Sequence, residues 1–132
     1  MRYMLDTNIC SYILKNHPTV VKQKFEEVGV GNICISAIVL AELYYGAARH
    51  PKGIVIRREI DSFVSRLVVI PWDENAADNY GAIRASQEKA GTLVGAMDML
   101  IAAHAKSCAA TLVTNNLRDF ERIKGLTLLN WV

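Results

Sequence analysis

Short apolar runs alternate along this chain with longer stretches of helical periodicity. Tyr3-Met4-Leu5, stopped at Asp6, suits a buried strand. Ile9, Ile13 and Leu14 then share a helical face, with Asn8 as the expected cap and His17-Pro18 as the stop. Val21, Phe25 and Val28 predict a second helix from about Thr19, ended by Gly29 and Gly31. Asn32-Ile33-Cys34-Ile35 reads as the next strand, and Ser36 as the cap of a helix carrying Ile38, Leu40 and Leu43 to about Ala48. After the Pro51-Lys52-Gly53 turn, Ile56, Ile60, Phe63 and Val64 form another amphipathic stripe. Leu67-Val68-Val69-Ile70 predicts a third strand, closed by Pro71. Asp73 then caps a helix marked by Ala76, Tyr80 and Ile83, with Gly91 beyond its end. A further helix runs from roughly Ala96 to Ser107, Thr111-Leu112-Val113 is a fourth strand, and Leu128-Leu129 a candidate fifth. Strands alternating with helices in this way predict an α/β protein with a four- or five-stranded parallel sheet covered by helices.

Composition narrows the class. The 132 residues fit one domain, expected to run 1–132, and there is no repeat, low-complexity stretch or linker. Apolar residues make up 52% of the chain and charged ones 21%, which supports a core and excludes a disordered tail. The formal charge of +2, from 15 Lys and Arg against 13 Asp and Glu, neither demands nor excludes a polyanionic partner. Cys10, Cys34 and Cys108 lie in apolar runs without CxxC spacing and read as buried thiols. His104 and Cys108, four apart, lack the second pair that a zinc site needs. The first residues reach an acid too soon for a signal peptide, and no apolar run approaches membrane-spanning length, so a cytoplasmic setting is expected.

The informative residues are acids in places that a merely solvated acid does not favour. Asp6 directly follows a strand, at the carboxyl end where parallel sheets collect ligands, although it also suits a helix cap. Glu42 has Ile38, Val39, Tyr45 and Gly46 three and four residues away, a largely apolar face on which a carboxylate needs a partner or a cation. Asp98 sits in a run with no Lys or Arg within five residues on either side, in a first turn where the helix dipole also favours an acid. Asp119 comes after the fourth strand in Thr114-Asn115-Asn116-Leu117-Arg118-Asp119-Phe120, where it is free to cap the next segment or to pair with Arg118. Together the four suit phosphoryl chemistry with a hard divalent cation, Mg²⁺ or Mn²⁺, which takes oxygen ligands, orients water and neutralises charge on a scissile phosphate. No Ser-His-Asp set or phosphate-binding glycine loop competes.

Met4-Leu5-Asp6-Thr7-Asn8, the segment Ser36 to Gly46 with Glu42, the segment Asp98 to His104, and Thr114-Asn115-Asn116 through Asp119-Phe120 resemble PIN-domain nucleases, and among them the VapC-type toxins of toxin–antitoxin pairs. The resemblance spans nearly the whole chain, with the motifs in order. It implies a three-layer α/β/α sandwich and a Mg²⁺-dependent endoribonuclease, with Asp6, Glu42 and Asp98 as the metal-binding acids. It implies that Thr7 or Asn8, Ser36 and Thr114 support that pocket. A further acid is common at the position filled here by Asn116, and Asp119 is the candidate substitute. It also implies a homodimer, a small antitoxin whose tail blocks the site, and a structured tRNA as the preferred substrate.

Among the basic residues, Arg49, Arg57 and Arg118 are the candidates for contacts to RNA; Lys52, Arg58, Arg122 and Lys124 lie near them in sequence. No RNP-like aromatic motif is present, so Trp72, Trp131 and the tyrosines read as core. Two alternatives stay open. A receiver-like phosphoacceptor domain needs an acidic pair after the first strand and an Asp after the third, where this chain has Asp6-Thr7 and Asp73 behind Pro71-Trp72. A catalytically inactive PIN-like RNA-binding module is the other.

Overall fold

The computed structural model describes residues 2–132. Its strands β1 (Tyr3–Leu5), β2 (Ile33–Ser36), β3 (Val68–Ile70), β4 (Thr111–Val113) and β5 (Leu128–Leu129) form one sheet in the order β3-β2-β1-β4-β5. Every pairing is parallel, so the fifth strand, left open by the sequence, is present. The inner strands are covered on both faces, which is why they read as unbroken apolar runs. Met4, Leu5 and all of β2 are buried, whereas Val68 and Leu129 on the two edge strands are exposed.

Helices flank this sheet in an α/β/α arrangement: α1 (Thr7–Lys15), α2 (Thr19–Val28), α3 (Ala37–Ala48), α4 (Gly53–Val64), α5 (Glu74–Ala90), α6 (Ala96–Ser107) and the short α7 (Leu117–Phe120). A 3-10 turn, Val30–Asn32, leads into β2. Gly91 ends α5 in the left-handed region, at φ 69°, where glycine carries no steric penalty. Helices α5 and α6 pack on each other, as do α3 with α4 and α1 with α2.

One cap differs from expectation. Asp6, not Asn8, caps α1: its side chain accepts from the Ile9 amide at 2.9 Å, while Asn8 lies exposed in the first turn. The cause is the ladder, since the Asp6 amide still donates to the Val113 carbonyl at 3.0 Å. That bond holds Asp6 extended, the backbone conformation a capping residue needs.

The aromatic residues are divided. Trp131 is buried against Tyr3, and the Trp72 indole donates to the Leu100 carbonyl at 3.0 Å, tying the loop after β3 to α6. Tyr45 departs from the core reading: it is 68% exposed. The cysteines are free thiols; Cys10 and Cys34 are buried and Cys108 partly so.

The chain leaves β1 to build one flank of the sheet with β2 and β3, then returns to build the other with β4 and β5. The reversal falls at β1, and a crevice opens there outside the carboxyl ends of the strands. Asp6, Ser36 and Thr114 stand side by side at that edge, because Leu5 is level with Val113 and Met4 with Cys34.

Candidate active site

Asp6 enters the crevice from β1 and is 5% exposed. The Ile9 amide and the Thr114 hydroxyl both bond its carboxylate. Burial raises its pKa above the ordinary carboxylate value; those two bonds oppose the rise, and the charges of Asp98 and Glu42 add to it. Thr114 is itself fixed, since its Oγ1 accepts from the Asn116 amide at 2.9 Å.

Glu42 arrives from α3 and accepts a hydrogen bond from the Thr7 hydroxyl at 2.5 Å, so the residue after Asp6 orients the second acid. Asp98 lies in the first turn of α6. Its pKa is raised by burial first, then by the charges of Asp119 and Glu42. Asn116 spans the remaining gap: its side-chain nitrogen donates to Asp119 Oδ2 at 3.1 Å and reaches Asp98 Oδ2 at 3.4 Å. The carboxamide thus holds together two acids that would otherwise repel.

Asp6 therefore feels the charges of Asp98 and Glu42, and Asp98 those of Asp119 and Glu42, although the four acids come from separate elements. Among the described residues, the ion pairs join Arg57 to Asp61 and Arg84 to Glu88, and none involves these acids. Arg118 is exposed and makes no ion pair with Asp119. Among the described residues, no three His, Cys, Asp or Glu side chains are already gathered tightly enough to grip an ion. The donor set nevertheless fits a hard divalent cation: oxygens only, mutually repelling, with no basic side chain to neutralise them.

Ser36 plays the capping part expected of it. Its Oγ accepts from the Ile38 amide at 3.1 Å, capping α3, and lies 2.7 Å from His104 Nδ1. Fully buried, it steadies the start of the helix that carries Glu42. The sequence does not single out His104, because it reads as helix packing. Its one signal is a polar ring in the apolar run six residues after Asp98. Burial lowers its pKa, with the charge of Asp73 opposing, which favours the neutral ring. Its Nε2 is buried without a hydrogen-bond partner.

A cavity of about 570 Å³ continues from the acids between α1, α3 and α4, lined among others by Thr7, Asn8, Glu42 and Arg49. Arg57 is placed elsewhere. It pairs with Asp61 at 3.3 Å, lies 3.5 Å over the Tyr44 ring, and borders a second cavity that contains none of the four acids.

The charge crowding has a measurable consequence. A carboxyl whose pKa is raised by folding stabilises the fold below its unfolded pKa, and that contribution is lost as pH rises through the folded pKa. In chelator-treated protein Asp98→Asn is expected to melt a few degrees above the wild type at neutral pH. The advantage should shrink as pH falls through the carboxylate range. Thermal melts across that range check this; a wild type as stable as the variant at neutral pH contradicts the crowding.

Comparison with known proteins adds the relationship. The PIN domain family model matches residues 3–126. The chain is 42% identical to "Ribonuclease VapC2" of Haemophilus influenzae, over 100% of this chain and 99% of that protein. It is also 42% identical to the "tRNA(fMet)-specific endonuclease VapC" of Shigella flexneri, over 99% of this chain and 98% of that one. The fold superposes on the crystal structure of VapBC2 from Rickettsia felis bound to a promoter DNA fragment with a TM-score of 0.93, at 42% identity and over 100% of both chains.

Proposed function

Since the chain belongs to the PIN domain family, alongside the VapC ribonucleases, we propose that it is a toxin endoribonuclease that uses Asp6, Glu42, Asp98 and Asp119 to cut a structured tRNA with Mg²⁺. The observation that carries this reading is the crevice itself: four acids from positions far apart in sequence, coupled by charge and left without a basic partner.

Asp6, Glu42 and Asp98 are the oxygen donors for the cation, with Mn²⁺ an adequate substitute for Mg²⁺. Bound there, the cation supplies charge neutralisation at the scissile phosphate and makes a bound water more acidic. The protein's share is orientation. Ile9 N–H and Thr114 fix Asp6, Thr7 fixes Glu42, and Asn116 holds Asp98 and Asp119. Asp119 is the acid we assign to accept a proton from the attacking water. Arg49, which lines the cavity beside Glu42, and Arg118, next to Asp119 in the chain, are both exposed and are the remaining candidates for phosphate contacts.

Complexes named VapBC among the solved relatives support a small antitoxin as partner, and we propose a homodimer as the form that binds it. Among the described residues no helix is long and apolar enough to cross a membrane, which suits a toxin acting on RNA in the cytoplasm. The phosphoacceptor alternative loses its acid: Asp73 accepts from the Ala76 amide at 3.1 Å and caps α5.

Incubating the purified protein with total tRNA tests the proposal. Discrete fragments are expected with Mg²⁺, none with excess chelator, and recovery on adding Mg²⁺ or Mn²⁺. Intact tRNA in every lane, or cleavage indifferent to chelator, defeats it.

A further inference from the structure

Helix α3 carries more towards the crevice than Glu42. Tyr45, Gly46 and Arg49 lie three, four and seven residues beyond it, the spacing of one helical face, and all four line the cavity that continues from the acids. At the α-helical rise, Arg49 stands roughly 10 Å along the axis from Glu42. A polymer lying across the acids and along this face meets in turn an acid, an exposed aromatic ring and a cation.

Two features of this face are not explained by packing against the core. Tyr45 is 68% exposed, its ring about 5.5 Å from the Arg49 guanidinium. Gly46 lies in the last turn of α3, where glycine holds the helix less well than alanine. Packing does not require it, because a Cβ built there meets nothing within 4 Å. What its missing side chain does provide is open space in the cavity wall between Glu42 and Arg49.

We propose that this face is a nucleotide subsite for the RNA strand flanking the cut: the Tyr45 ring stacks the base next to the scissile phosphate, Gly46 leaves room for its ribose, and Arg49 meets the next phosphate. Stacking on an aromatic ring tolerates any base, because every base has a π face. Arg49 also offsets the repulsion that Glu42 exerts on an approaching phosphate. Lys15 from α1 and Glu59 from α4 line the same cavity with opposite charges, as Arg49 and Glu42 do, so the contact to a phosphate is local to the Arg49 end rather than a property of the whole cavity. The cavity shares Thr7 and Glu42 with the acid site, so a strand held at the acids has a direct path into it. The subsite rests on the ribonuclease reading above.

The test is steady-state cleavage of total tRNA with Mg²⁺ by the wild type, Tyr45→Ala, Tyr45→Phe, Gly46→Leu and Arg49→Gln. Tyr45→Ala should raise KM about tenfold, the scale of one lost base–aromatic stack, with kcat little changed. Tyr45→Phe should behave as the wild type. Gly46→Leu should raise KM at least as far, by filling the space. Arg49→Gln should flatten the salt dependence by roughly one phosphate. Melting temperatures of the Tyr45 variants should match the wild type, because the ring is largely in solvent. If the wild type cuts no RNA, the ribonuclease reading falls and the subsite with it. If the wild type cuts and Tyr45→Ala and Gly46→Leu share its KM, the subsite alone is overturned, and the cavity is a protein-binding groove or bare surface.

Discussion

Asp6→Asn and Asp98→Asn should each lower tRNA cleavage by about a thousandfold, while the protein stays folded. A divalent cation at a reacting phosphate contributes several kcal/mol to the barrier, and each 1.36 kcal/mol is tenfold in rate. Asparagine keeps the size of aspartate and an oxygen for the Ile9 amide that Asp6 caps, so the loss is one of charge and not of helix α1. The two positions differ in support: Asp6 is bonded by an amide and a hydroxyl, whereas Asp98 is held by the long contact from Asn116. Initial rates with Mg²⁺, alongside circular dichroism, read the result. A variant that cuts at a tenth of the wild-type rate or better removes its acid from the metal set.

The largest effect on stability is expected at His104. His104→Ala should destabilise the protein by about 3 kcal/mol, the cost of emptying a well-packed site in a core. In a chain of this size that is roughly 10 °C of melting temperature. The ring is buried on α6, and its Nδ1 bonds the Ser36 hydroxyl that caps α3. Truncation therefore opens a void and removes a partner from Ser36 together. Ser36→Ala should cost about 1 kcal/mol through the cap, and strands both ring nitrogens of His104. A His104→Ala melt within about 2 °C of the wild type would show that the surroundings close over the gap.

Periodicity carried most of the fold, since buried parallel strands such as Ile33–Ser36 are continuous apolar runs and the helices repeat their apolar face. What failed was through-space. The choice between Asp6 and Asn8 as cap depended on the bond from Asp6 to Val113, made by a strand distant in sequence. The Ser36 cap was legible, but the contact of its hydroxyl with His104, distant in sequence, was not. Arg57 has a local partner in Asp61, one helical turn on and readable from the spacing, whereas the Tyr44 ring beneath it comes from α3 and emerges only when α3 and α4 pack. The choice between Asn116 and Asp119 was open in the sequence; the geometry joins them, with the amide of one bonded to the carboxylate of the other. Tyr45 was not legible because nothing local separates an exposed tyrosine from a buried one.

The central place of β1 also governs when, during its own synthesis, the chain becomes harmful. The ribosome makes Asp6 well before the Val113 carbonyl and Thr114 hydroxyl that hold it, which follow even Glu42 and Asp98. Until β4 has emerged, β1 has one unpaired edge, and Asp119 does not yet exist. Over most of its elongation the nascent chain is an unarmed precursor. The acids made early thus wait for the later-made flank of the sheet before they can act as one site.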